Sequence, residues 1–170
     1  KTKYLNEGSA FNPQSIYAIG KVSAFHTVNY YKNTFNLYCS TGIFFNHESP
    51  RRQTEYVSRK ITSTVAKIYY KKTNELSLGD ISAIIDWGYA KEYMEAAYKI
   101  LQLNQSQNFI IGTGHSYSVK EFMEEAFNYV GLNPDNYLKI NKKLIRPSKT
   151  SPLLADNKKA KKIIKFNPKI

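Results

Sequence analysis

Cysteine is almost missing from this 170-residue chain: Cys39 stands alone inside an apolar run. A single thiol excludes an internal disulfide, and its expected place is a buried strand in a reducing, cytoplasmic setting. Long apolar runs are missing too. None approaches the roughly 18 residues that a membrane-spanning helix needs, so no membrane partner is expected. Lys1-Thr2-Lys3 shows no signal-peptide pattern. The three histidines, His26, His47 and His115, do not combine with Cys39 at any metal-ligand spacing, so no metal is expected. A glycine-rich G-x-x-G-x-x-G turn, the cradle of a dinucleotide pyrophosphate, is also absent. Gly112-Thr113-Gly114 is a lone G-x-G after a strand and reads as a turn. There is no internal repeat and no low-complexity linker.

What is present is a globular composition, 42% hydrophobic, with 14 tyrosines that add apolar bulk with a polar tip. Acidic residues number 13 against 25 Lys and Arg, for a net charge of +12. Such an excess raises the question of a nucleic-acid partner. Much of it sits in Lys158, Lys159, Lys161, Lys162, Lys165 and Lys169 around Ala160, Ile163 and Ile164, the pattern of a wet face on a short amphipathic helix. The expected reading is a solvated surface, with no nucleic acid as partner.

The hydrophobic periodicity alternates strands with helices, which makes the class α/β. Residues 1–14 read as a loop. A helix over 15–33 carries Ile16, Ile19, Val22, Phe25 and Val28 around much of its circumference, implying burial on several sides. The near-continuous run 36–45 reads as a parallel strand covered on both faces, followed by a loop over 46–50. A second helix, 53–71, puts Val57, Ile61, Thr64, Val65 and Ile68 on one face. Short strands are expected at 76–78, 108–112 and 137–140. A third helix, 88–103, has Ala90, Met94, Ala97 and Leu101 at helical spacing. Ser118 and Glu121 form a capping box for a fourth, with Val119, Phe122, Ala126 and Val130 inward. Asp156 reads as the N-cap of the last helix.

Two segments carry chemistry. In Tyr17-Ala18-Ile19-Gly20-Lys21, a Tyr and a Lys four residues apart lie one turn from each other on one helix face. An ammonium held there favours the ionised phenol and draws its pKa from about 10 toward neutrality, where it can take a proton from an alcohol. The second segment, Asn46-His47-Glu48-Ser49-Pro50-Arg51-Arg52, lies just beyond the carboxyl end of a strand, where open α/β sheets bind ligands.

The stretches NPQSIYAIGK, GIFFNHESPRR, VSRKIT and LSLGDISAIIDWGYAKEYMEA together resemble the GDP-mannose 4,6-dehydratase family of extended short-chain dehydrogenases. The likeness runs from about Asn6 to Leu132 and continues more weakly through Arg146-Pro147 and the segment from Ala155 to Ala160. It implies the C-terminal half of a Rossmann-like parallel sheet plus a small α/β sugar-nucleotide-binding domain. Residues 1–75 would close the dinucleotide-binding part, and 76–170 would be mainly substrate-binding, with interleaved boundaries. It also implies that the glycine-rich turn stands upstream of Lys1, in a longer enzyme.

In that family NADP oxidises the sugar at C4, water leaves across C5 and C6, and the hydride returns at C6. The resemblance makes Tyr17 the base for the C4 hydroxyl and assigns Lys21, His47 and Arg52 to NADP. It assigns Asn46, Lys60 and Arg146 to the nucleotide sugar, GDP-mannose or a similar one, and implies a homo-oligomer, dimer or tetramer. Ile85 stands where the family has Arg before Asp-Trp, Lys149 where it has Glu, and Gln14-Ser15-Ile16-Tyr17 where it has Arg-Ser-Pro-Tyr. The family's catalytic Thr and Glu stand further upstream than the sixteen residues that precede Tyr17 here. These departures leave open a relative acting on another nucleotide sugar as dehydratase, epimerase or reductase. A non-catalytic binding module or inactive fragment is left open as well.

Overall fold

The structure, a computed structural model, describes residues 3–145 and 153–170. They form two compact units built from alternating segments of the chain: Lys1–His47, Asp86–His115 and Leu153–Ile170 in the first, Glu48–Ile85 and Ser116–Pro152 in the second. The division between the units falls inside the Asn46–Arg52 segment.

The first unit holds β1 (Lys3–Leu5), α1 (Ile16–Phe35), β2 (Thr41–Phe44) and the start of β3 (Asn46–Glu48). It also holds β6 (Trp87–Tyr89), α3 (Ala90–Leu101), β7 (Asn108–Ile111), β10 (Leu153–Ala155) and α5 (Lys158–Ile163). β2 runs parallel to β7, Thr41 opposite Asn108 and Phe44 opposite Ile111, and β1 runs parallel to β10. Parallel pairing of segments so distant in sequence requires crossover connections, which the helices provide. Tyr93, Ala96 and Ile100 of α3 pack with Phe109 and Ile111 of β7 and with Ala160, Ile164 and Phe166, against Phe44 and Leu103. Gly112, directly after β7, has no room for a side chain, since a Cβ there would lie 2.4 Å from that of Ala155.

The second unit contains α2 (Val57–Tyr69), β4 (Leu76–Leu78), β5 (Ile84–Ile85), β8 (Tyr117–Ser118), α4 (Val119–Tyr129) and β9 (Leu138–Ile140). β4 runs parallel to β9 and β5 antiparallel to β8. Its core is Ile61, Val65 and Ile68 of α2 with Leu76, Leu78, Val119, Met123 and Phe127, the last stacked on Tyr137.

Several elements differ from the sequence-based expectation. Asn36 turns left-handed (φ 52°) and ends α1, so the strand begins only at Thr41, and none of its residues is fully buried. Cys39 is half-buried ahead of β2 instead of inside a strand. The expected loop over 46–50 begins as β3 and turns at Ser49–Arg52, where the Arg52 N–H donates to the Ser49 carbonyl. α1 has no buried residue, and Ile16, Tyr17 and Ile19 are exposed; among the described residues its ring contacts with other segments are those of Phe11 with Phe25 and His26. α3 buries Tyr93, Ala96 and Ile100 and leaves Met94 and Leu101 outside, a stripe one residue earlier than expected. α4 likewise buries Met123 and Phe127, with Phe122 and Ala126 half-covered. The N-cap of α5 is Asn157, not Asp156, whose carboxylate instead accepts the Lys158 N–H. The Ser118–Glu121 capping box is formed in full.

Candidate active site

The N-terminal half of α1 presents Tyr17 and Lys21. Ser15 starts the helix by accepting the Ala18 N–H (3.1 Å), which fixes the register of the turn carrying both side chains. The Lys21 Nζ lies 5.5 Å from the centre of the Tyr17 ring, over its face. Tyr17 is 75% exposed, and among the described residues Lys21 makes no ion pair. The helix thus brings together a phenol and a cation open to an incoming molecule.

His47 follows the carboxyl end of β2 and is half-buried. Its Nδ1 is 2.8 Å from the Phe45 carbonyl. A carbonyl only accepts, so Nδ1 carries a proton and Nε2 is the nitrogen left for a ligand. The ring stacks on Tyr93 at 4.9 Å and meets Phe44 edge-on at 5.7 Å. Neighbouring Asn46 is exposed.

Arg52 belongs to the second unit. Its Nε is 3.1 Å from the Glu48 carboxylate, and its guanidinium lies 3.6 Å above the Tyr56 ring. Glu48 also accepts the Ser58 hydroxyl at 2.8 Å, so the turn between β3 and α2 is tied at both ends. Beside it lies an open depression of about 450 Å³, lined by Pro50, Arg52, Gln53, Thr54, Glu55 and Arg59. Arg52 there is already paired with Glu48, and Arg59 stands with Glu55 in the lining, so Arg59 is the lining guanidinium with no ion pair among the described residues. Lys60 stands half-buried one position further along α2. Arg146 and Lys149 lie outside the described residues.

Sequence reasoning passed over three residues that hold this framework. Asp86 is 1% exposed, and its carboxylate accepts the Thr113 N–H (2.9 Å), the Thr113 hydroxyl (2.6 Å), the Gly114 N–H (2.9 Å) and the Ala155 N–H (3.1 Å). It pins the turn beyond β7 to β10. Tyr93 carries the ring under His47; burial first, then the charges of Asp86 and Glu92, push its phenol well above the usual range. It therefore stays neutral and is not a proton carrier, unlike the role assigned to Tyr17. Glu7, in the first loop, accepts the Ile110 N–H of β7 at 2.9 Å. The signals were present only in part: Glu48 and Arg52 have the spacing of an i,i+4 pair, whereas the partners of Asp86 are scattered along the chain.

Parallel strands joined through helices, with the Asn46–Arg52 segment at a strand's carboxyl end, make a Rossmann-type α/β arrangement. Known structures share this fold. A dTDP-glucose 4,6-dehydratase from Bacillus anthracis in complex with NAD superimposes with a TM-score of 0.88 at 19% identity, over 100% of this chain and 52% of that one. RMD from Pseudomonas aeruginosa with NADPH gives 0.87 at 15%, over 98% and 55%. Residues 1–170 match the sequence family described as GDP-mannose 4,6 dehydratase. The similarity extends to GDP-mannose 4,6 dehydratase 1 of Arabidopsis thaliana, 40% identical over 97% of this chain and 46% of that protein. The Drosophila melanogaster enzyme is 37% identical over 97% and 46%, and the Homo sapiens enzyme 35% over 96% and 49%. The chain belongs to the GDP-mannose 4,6-dehydratase family. It spans about half the length of the curated relatives it matches.

Proposed function

We propose that this chain is part of a GDP-mannose 4,6-dehydratase, an NADP-dependent lyase that converts GDP-mannose to GDP-4-keto-6-deoxymannose. The observation that carries the reading is the match of residues 1–170 to that family together with the open Tyr17–Lys21 pair. Residues 1–75 then contribute mainly to the dinucleotide side and residues 76–170 mainly to the sugar-nucleotide side.

The residues present fit a nicotinamide cofactor: among the described residues the Lys21 ammonium meets the Tyr17 ring but no carboxylate, and His47 Nε2 has no hydrogen-bond partner. When bound, NADP supplies the hydride acceptor and donor. Tyr17 takes the C4 hydroxyl proton as a general base, and Lys21 stabilises the phenolate and holds the cofactor ribose. His47 and Arg52 contact the cofactor. Asn46 bonds the substrate's polar edge, and Lys60 and Arg146 neutralise its diphosphate. The preference for NADP over NAD rests on the family, since structural neighbours carry either form. Assembly as a homo-oligomer is supported by the exposed apolar residues of α1, Ile16, Ile19, Tyr30, Tyr31 and Phe35. A cytoplasmic setting accords with the lone cysteine, and no described helix is long and apolar enough to cross a membrane.

The test is a product assay on the full-length protein with NADP and a panel of nucleotide sugars. Release of a 4-keto-6-deoxy sugar nucleotide from GDP-mannose is the expected result. The presence of Ile85 where relatives carry an arginine favours a second reading, a changed nucleotide sugar. Inertness toward GDP-mannose with turnover of another member of the panel would select it.

A further inference from the structure

Tyr93 is fully buried at the centre of an aromatic cluster, yet among the described residues its hydroxyl has no hydrogen-bond partner. Leaving such a group unsatisfied costs about 1–3 kcal/mol, so the ring must be held there by what it packs against. Phe44 and Phe166 meet it edge-on at 5.8 Å each, and the imidazole of His47 lies on it at 4.9 Å with 28° between the planes. Its other flank rests on Gly88, where a Cβ would come within 2.4 Å of the ring. The absence of a side chain at Gly88 is thus what lets the phenol sit flat under His47. The imidazole has two restraints: the Phe45 carbonyl takes Nδ1–H, and the phenol face sets the ring plane.

We propose that Tyr93 is a positioning residue for His47, its ring being the platform that holds the imidazole with Nδ1–H on the Phe45 carbonyl and Nε2 free for the cofactor. This rests on the reading of His47 as a cofactor contact. The part played by Tyr93 is steric and belongs to the ring, not the hydroxyl. Phe166 packs on Tyr93 and, among the described residues, makes no ring contact with His47, whereas Gly88 lies on β6, the strand paired with β3 that carries His47. The chemistry that gains is recognition of a nicotinamide nucleotide by one fixed ring orientation, with Nδ1–H committed to the Phe45 carbonyl.

The test uses full-length protein labelled with ¹⁵N at histidine, without cofactor. His47 should show one tautomer, protonated at Nδ1, in the unmodified protein and in Tyr93→Phe. In Tyr93→Leu it should show a mixture. Tyr93→Met, which keeps bulk without an aromatic face, should do the same and guards against a folding failure of the first variant. An unchanged tautomer ratio in folded Tyr93→Leu or Tyr93→Met overturns the proposal, and so does a mixture in Tyr93→Phe. Cofactor affinity is the second arm. Tyr93→Leu should weaken NADP roughly threefold to tenfold, the worth of one aromatic contact, and should add nothing in a His47→Ala background. An equal loss in that background also overturns the proposal. If His47→Ala leaves NADP affinity intact, the cofactor reading of His47 falls, and the tautomer result alone decides the role of Tyr93.

Discussion

At the scale of single residues, the buried carboxylate of Asp86 makes the sharpest statement. Among the described residues it has no cationic partner, only four donors, three of them backbone N–H groups. Asp86→Ala strands those three N–H groups at once, the Thr113 hydroxyl keeping the His115 carbonyl at 3.0 Å, and hydrogen bonds to a charged group are worth about 1.5–3 kcal/mol each. A loss of at least about 3 kcal/mol in urea unfolding is expected, and a loss under 1 kcal/mol would contradict this role. Tyr93 supplies a pH signature. Its phenol is raised in the folded state, so the unfolded chain ionises first as pH climbs past about 10. Stability should be intact below that point and fall above it, and Tyr93→Phe should shift the alkaline unfolding midpoint upward. Neither residue was legible in the sequence. Asp86 reads as an ordinary Asp before Trp until Thr113, Gly114 and Ala155 fold onto it. The closeness of Tyr17 and Lys21 was legible because it follows from a local helical spacing.

At the scale of elements, legibility followed the clarity of the apolar stripe. α2 carries one, Ile61–Val65–Ile68, and the structure buries that one. α3 carries two in adjacent registers, 93–96–100 and 94–97–101, and periodicity cannot choose between them. Packing chose the first because Tyr93 fits between Phe44 and Phe166. β1 was missed because its partner, β10, lies far along the chain, and strands as short as β5 and β8 carry no alternation to read. α4 was read from its capping box. Glu121 accepts the backbone N–H and then the hydroxyl of Ser118, and these bonds hold its carboxyl below the usual value. That contribution is present above the ordinary carboxylate pKa and is lost as pH falls through the lowered one. Ser118→Ala, which removes the hydroxyl bond but keeps the backbone one, should reduce stability by about 1 kcal/mol and weaken this acid dependence at the α4 terminus, as followed by amide exchange of its first turn.

For the molecule as a whole, the α/β class and parallel pairing followed from alternation of strands and helices. The interleaving of two compact units did not, because it depends on which distant segments meet. Unit two is held by a small apolar core in which Ile61 has no exposure, and Ile61→Ala should cost about 2–5 kcal/mol in urea unfolding. The claim on which the functional account turns is that the open phenol of Tyr17, beside Lys21, removes the substrate's hydroxyl proton. The most direct measurement is turnover of GDP-mannose by full-length Tyr17→Phe, with substrate binding measured in parallel. A fall of roughly 10²-fold or more in rate with near-unchanged affinity is the expected result. Turnover within a few-fold of the unmodified protein would contradict it.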